Sequence, residues 1–356
     1  MEPFLLPPNT FDHFYRGGSR IAELRNSPVG THRPEEWLGS VVTRFGEPTK
    51  GLTSFGNRTL RAEIEANPVA WLGPEYVARH GPSPAVLVKL LDPAQRLPVH
   101  LHPTRRFAGE HLGCPYGKTE AWVVLETEPS GGDVFVGTHR AVAREEWTAL
   151  VDEQDSDAML ALLRPVKVRA GDAVLVPAGT PHAIGADLLV LELQEPTDLS
   201  ILLEWDGFDI DGAADGHLGL GMDVAIGAIR PDALSDTELE RLVVRAGRSG
   251  TPSISGSAAR ADDTVVSVMP PEADPYFRAW QIRSTVHAEL PDGFGVLLIV
   301  DGGGRLVHGS GSIDAERGDA FVVPDAAGPC TLTGRMAAYF SQPPSPTSPE
   351  PQEWDT

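Results

Sequence analysis

Short apolar runs separated by glycine- and proline-bearing turns dominate the chain from about residue 85 onward. Ala85–Leu91, Ala121–Glu126, Val134–Gly137, Ala173–Val176 and Leu188–Leu193 are compact and rich in β-branched side chains. Runs of this length and composition predict the strands of an antiparallel barrel or sandwich. Upstream, Pro34-Glu35-Glu36-Trp37-Leu38-Gly39 reads as a turn entering a buried strand. Two segments break the strand pattern. Arg144 to Leu163 spaces Trp147, Leu150, Val151, Met159, Leu160 and Leu163 among acidic residues, which predicts a helical insert. A second helix is expected after Ser235-Asp236-Thr237-Glu238, a capping box that precedes Leu239, Leu242 and Val243. The segment from Arg105 to Pro115 has no clear period and is expected to form a loop over the barrel mouth.

An internal echo sharpens this picture. Arg169-Ala170-Gly171-Asp172-Ala173-Val174-Leu175-Val176-Pro177 is repeated in outline by Arg317-Gly318-Asp319-Ala320-Phe321-Val322-Val323-Pro324. Two related barrels account for it economically. The expected organisation is an N-terminal segment plus a metal-binding barrel over 1–208, a helical segment over 209–250, a second barrel over 251–341 and a disordered tail over 342–356. The second copy carries no histidine where the first has His182, so that barrel is expected to be metal-free.

Charge and composition narrow the function. At 356 residues the chain is long enough for two or three packed units. Its formal net charge of −21 argues against phosphate backbones and anionic membrane surfaces as partners. A small molecule is the expected partner, with the protein a monomer or homodimer. Two cysteines, Cys114 and Cys330, form no C-x-x-C pair, so thiolate metal sites are not expected. A reduced, cytoplasmic protein is the natural inference. The N-terminus lacks the basic start and long apolar run of a signal peptide.

Candidate chemistry enters with His100-Leu101-His102. On a strand, alternation puts both imidazoles on one face, so both can reach one ion. A second piece is Gly171-x5-Pro177-x-Gly179-x2-His182, where a Pro-Ala-Gly turn reverses the chain and starts a strand carrying His182. Glu120, which opens the strand Ala121–Leu125, is the expected carboxylate ligand, with Glu110 its rival. Three imidazoles and a carboxylate suit Zn²⁺, and also Fe²⁺, Mn²⁺, Co²⁺ or Ni²⁺.

These residues resemble those of the type I mannose-6-phosphate isomerases, zinc-dependent aldose–ketose isomerases of cupin fold. Family enzymes carry Gln-x-His-Pro, then Lys-x-Glu, then Pro-Ala-Gly-x-x-His-Ala, then Glu-x-Gln-x-Ser-Asp. The corresponding stretches here are His100–Pro103, Lys118-Thr119-Glu120, Pro177–Ala183 and Glu192–Asp198, with Glu36-Trp37-Leu38-Gly39 matching an N-terminal segment. The resemblance runs from about residue 10 to 225 and more loosely beyond. It implies a mainly β fold of two cupin (jelly-roll) barrels with small helical insertions, and metal ligands at His100, His102, Glu120 and His182. His100 stands where the family has glutamine. Leu202 stands where the family has an arginine reaching into the active site, and Arg105 and Arg106 are the nearby cations that could compensate.

The activity implied is interconversion of mannose 6-phosphate and fructose 6-phosphate, or of a related sugar, through an enediol. Such a reaction needs a base near C2 and an electrophile on the neighbouring oxygens. Lys118 shares the inward face with Glu120 and is a candidate acid/base or anion anchor. Asp198 and Glu204 are alternative bases. Two other readings use the same ligands: an Fe²⁺ cupin dioxygenase, and a non-catalytic sugar-binding cupin.

Overall fold

A computed structural model describes residues 1–247 and 263–351. The expected start of the second barrel at 251 and the last five residues of the expected tail, 352–356, lie outside the described residues. The structure is mainly β, and two sheets close the first barrel. The strands are β1 (Glu35–Leu38), β2 (Leu87–Leu91), β3 (His100–Leu101), β4 (Glu120–Glu126), β5 (Gly132–Thr138), β6 (Leu163–Val168), β7 (Ala173–Val176), β8 (His182–Ile184), β9 (Leu189–Gln194), β10 (Ile201–Leu202) and β11 (Val243–Val244). One sheet runs β11-β7-β4-β9-β2-β1 and the other β10-β3-β8-β5-β6, with every pair antiparallel.

Register explains the contents of the barrel. In the six-stranded sheet Trp37 pairs with Lys89, Lys89 with Glu192, and Glu192 with Trp122. Strand alternation therefore lines one face with Glu35, Trp37, Lys89, Glu192, Gln194, Glu120 and Trp122. The opposite face presents Leu38, Val88, Leu90, Leu191 and Leu193, which join the core shared with Val296, Leu298, Val322 and Tyr339 of the second barrel. The second barrel is an eight-stranded antiparallel sheet built on Gly295–His308 and Thr331–Gln342. It has its own core of Ile282, Leu297, Ile299, Phe321 and Phe340.

The internal echo is structural as well as sequential. Gly171 (φ 90°) and Gly318 (φ 95°) turn the chain with left-handed backbone before the matching strands Ala173–Val176 and Ala320–Val323. Beyond those strands the copies part: the first turns into His182, and the second makes a 3₁₀ turn over Asp325–Ala327.

Three expectations change. The helical insert is two helices, Arg144–Glu153 and Ser156–Leu162, because Gln154 adopts a left-handed conformation and Asp155 caps the second. The segment after Arg105 is a helix, Arg105–Leu112, capped by the Thr104 side chain and stopped at left-handed Gly113. Its buried Phe107 and Ala108 supply the apolar face that its short length hid from a periodicity reading. Residues 342–351, expected to be disordered, are packed down: Gln342 ends a strand, and the Ser345 carbonyl meets His80 Nε2 at 2.9 Å. The helix Asp236–Leu242 has the expected Ser235–Glu238 capping box. Among the described residues no helix is long and apolar enough to cross a membrane.

Candidate metal centre

His100 and His182 sit directly opposite one another on β3 and β8, and Leu202 pairs with His100 from the other side. His102 follows β3 with the same alternation, and the three ring centroids lie 4.2–5.0 Å apart. Their ligand-capable atoms all fall within 4.8 Å of one another. Each Nδ1 is occupied: His100 by the Pro98 carbonyl at 2.8 Å, His102 by Leu199 O at 2.9 Å, and His182 by Thr180 O at 2.8 Å. A carbonyl can only accept, so each Nδ1 carries the proton and each Nε2 keeps its lone pair. His182 Nε2 is buried and has no hydrogen-bond partner.

Glu120 completes the cluster from the facing sheet. Its Oε2 lies 2.9 Å from His102 Nε2 and its Oε1 3.3 Å from His182 Nε2. Oε1 also accepts from the Trp122 indole at 2.9 Å, which fixes the carboxylate. Two lone-pair atoms as close as His102 Nε2 and Glu120 Oε2 require positive charge between them. Lys118 provides it here, with Nζ 2.6 Å from His102 Nε2 and ion-paired to Glu120. The histidines therefore fit a divalent cation: three neutral imidazoles converge on a buried position, and the Glu120 carboxylate beside two of them adds to the demand for positive charge there. Burial, followed by the Lys118 ammonium, pushes His102 down to about 3. Burial, and then His182 and His102, hold His100 well below the usual imidazole range. For Glu120, burial works upward, but Lys118 and then His102 outweigh it and keep the carboxyl well below its usual value.

A cavity of about 790 Å³ reaches this cluster through His100, Lys118 and Leu202. Asp198 lines it, its Oδ2 accepting from the Phe45 amide at 3.1 Å. Glu204 does not line it. That carboxylate is bound by both terminal nitrogens of Arg96 at 2.6 and 2.8 Å and by Val99 N–H at 2.7 Å. Glu110, the rival ligand, is exposed on the helix Arg105–Leu112. Arg105 is turned to Glu195 at 2.6 Å, between Tyr116 and Tyr276, and does not line the cavity.

A second buried cluster was missed by reading the sequence. Glu35 accepts from Tyr15 OH at 2.7 Å and from the Trp37 indole at 2.8 Å, and lies 3.3 Å from Lys89 Nζ. Lys89 also faces Glu192 at 3.7 Å and Asp198 at 3.9 Å, and sits over the Trp37 ring. Burial and then the Glu120 charge raise Glu192 to about 8. Burial works against the Glu35 anion, yet His13 and then Lys89 hold that carboxyl below its usual range. The available signal was one lysine and one glutamate inside otherwise apolar strands, on faces that register later joins.

No family model matches the chain. Among curated proteins, a mannose-6-phosphate isomerase of Bacillus subtilis is 28% identical over 262 residues, covering 72% of this chain and 74% of that protein. The resemblance, in sequence and in fold, is to the mannose-6-phosphate isomerases. A probable mannose-6-phosphate isomerase of the same organism, GmuF, is 27% identical over 350 residues, 96% of this chain and 99% of that protein. Among solved structures, the Bacillus subtilis mannose 6-phosphate isomerase matches with a TM-score of 0.68 at 21% identity, over 96% of this chain and 100% of that one. A phosphomannose isomerase variant from Salmonella typhimurium gives 0.70 at 15% identity, over 97% and 100%. The fold is thus shared along nearly the whole chain, second barrel included.

Proposed function

We propose that the chain is a metal-dependent aldose–ketose isomerase, interconverting mannose 6-phosphate and fructose 6-phosphate or a related sugar pair through an enediol. One observation carries the reading: three buried imidazoles lie within reach of one ion, Glu120 and Lys118 stand against them, and His100 and Lys118 open onto a cavity of about 790 Å³. His100, His102, Glu120 and His182 would hold the ion, Zn²⁺ being the best match to this donor set and Fe²⁺, Mn²⁺, Co²⁺ or Ni²⁺ the other fits. When bound, the metal supplies Lewis acidity toward the carbonyl and hydroxyl oxygens of the substrate.

The chain's own groups handle position and proton. Lys118 reaches the cavity beside the ligands, where its ammonium can hold or donate a proton. Asp198 borders the same space and is the candidate for abstracting the proton between C1 and C2. Glu192, raised to about 8, is a second buried group able to exchange a proton near neutral pH. The Glu204 contacts support a positioning role, clamping Arg96 and Val99 just ahead of the strand that carries His100. Two cysteines without a disulfide, Cys114 and Cys330, suit a reduced cytoplasmic setting.

Chelator-stripped protein reloaded with Zn²⁺ should interconvert an aldose and its ketose and incorporate solvent deuterium at C1 or C2. Loaded protein that does neither with any sugar would overturn the reading.

A further inference from the structure

Resting on the isomerase reading, we infer that this cavity is built for an unphosphorylated sugar. A phosphate monoester carries about 1.5 to 2 negative charges and is held by arginine, lysine or backbone N–H groups left free for it. In this cavity carboxylates outnumber the lysine and arginine side chains. Its rim carries exposed Asp12, Asp209, Asp211 and Asp215 and half-buried Glu47. Deeper in lie Glu35, Glu192 and Asp198.

Three lysine or arginine side chains face these eight carboxylates, and each is already engaged. Lys118 is ion-paired to Glu120, and Lys89 stands among Glu35, Glu192 and Asp198. Arg44 donates to the Asp12 carbonyl at 2.9 Å and lies 3.4 Å from Glu47. The first turn of the rim helix Gly212–Asp215 is closed by the Asp211 carboxylate, which accepts from Ala214 N–H. Beside His100 the lining residue is Leu202, which is apolar. A metal held by the histidines and Glu120 would replace Lys118 as their counter-charge, leaving that lysine at the inner end and the rim carboxylates unchanged.

The same lining suits a neutral polyol. Carboxylates accept from sugar hydroxyls, and aromatic faces cover C–H surfaces. Phe14, Tyr15 and Phe45 border the cavity, and Phe45 is 48% exposed on a loop whose amide is pinned to Asp198.

The test uses the metal-loaded full chain. Turnover of mannose, fructose and other free aldoses and ketoses is compared with that of their 6-phosphates. Binding of mannose, mannose 6-phosphate and inorganic phosphate is titrated calorimetrically. The expected result is a preference of about tenfold or more in kcat/KM for free sugars, from like-charge repulsion at the rim. Inorganic phosphate should neither bind nor inhibit. Glu47→Gln, which releases Arg44 from its carboxylate, should narrow that preference, and so should raised ionic strength. A preference for sugar phosphates overturns the inference while leaving the isomerase reading intact. Isomerisation of no sugar sinks the isomerase reading, and the titration then decides separately. Binding of mannose 6-phosphate in preference to mannose, or of neither, overturns the inference.

Discussion

Lys89 is the sharpest place to test the buried charge network. Its side chain is almost fully buried, in a strand otherwise made of leucine and valine. Lys89→Met keeps the stem over Trp37 and removes only the charge. Burial works to lower the lysine, but Glu35, then Glu192 and Asp198, raise it above the ordinary lysine value. Removing one partner of a buried ionic cluster costs about 3–5 kcal/mol, because the remaining charges stay buried. Two features pull this case to the lower end. Glu192 can take up a proton, and Glu35 keeps its bonds from Tyr15 and Trp37. A loss of roughly 3 kcal/mol, at about 2 °C per kcal/mol for a chain this large, lowers the midpoint by about 6 °C.

The pH dependence follows from the signs. Glu35 is depressed in the folded state, so its stabilisation is present above its unfolded value and is lost as pH falls through the folded one. Lys89 is raised, so its stabilisation is present below the unfolded lysine value and is lost as pH rises through the folded one. The gap between wild type and variant should therefore hold from about pH 5 to about pH 7, widen above about pH 8, where Glu192 ionises with Lys89 as its counter-charge, and close on acidification. Scanning calorimetry at several pH values measures it. A variant within a degree of wild type at pH 8, or a gap that widens from pH 8 to pH 4, refutes the argument.

Other substitutions separate the site from its scaffold. His182→Ala should lose the metal, measured by atomic emission, together with isomerase activity; a full equivalent of retained zinc would show that the cluster is not the binding site. Glu204→Gln weakens a buried charge-assisted clamp by about 1.5–3 kcal/mol. Its melting temperature should fall while metal content and kcat hold at permissive temperature, whereas lost activity at an unchanged melting point would restore Glu204 as a catalytic group. Gly117→Ala places a methyl 2.6 Å from the Pro103 carbonyl and 2.7 Å from Arg105 N. Overpacking there should cost about 1–3 kcal/mol in thermal melts and displace Lys118, seen as a larger loss in kcat than in metal content.

Most of the fold and half of the site follow from local sequence. Short apolar, β-branched runs bounded by glycine and proline place the barrel strands, and the Ser235–Glu238 capping box starts its helix where expected, because each depends on neighbours a few residues away. Alternation likewise puts His100 and His102 on one face, and the Pro-Ala-Gly turn brings in His182. Tertiary structure decided the remainder. Register between β2 and β9 sets Lys89 against Glu192, and closure of the barrel brings Glu35, Asp198 and Tyr15 to them from distant segments. Packing of the facing sheets set Glu120 beside His102 and His182 and left Glu110 exposed, and a clamp by Arg96 took Glu204 away from the cavity. A side chain's chemistry is written in the sequence, but its partners depend on chain-distant register and on what burial leaves uncompensated. For that reason the histidine motifs were legible while the charge network around them was not.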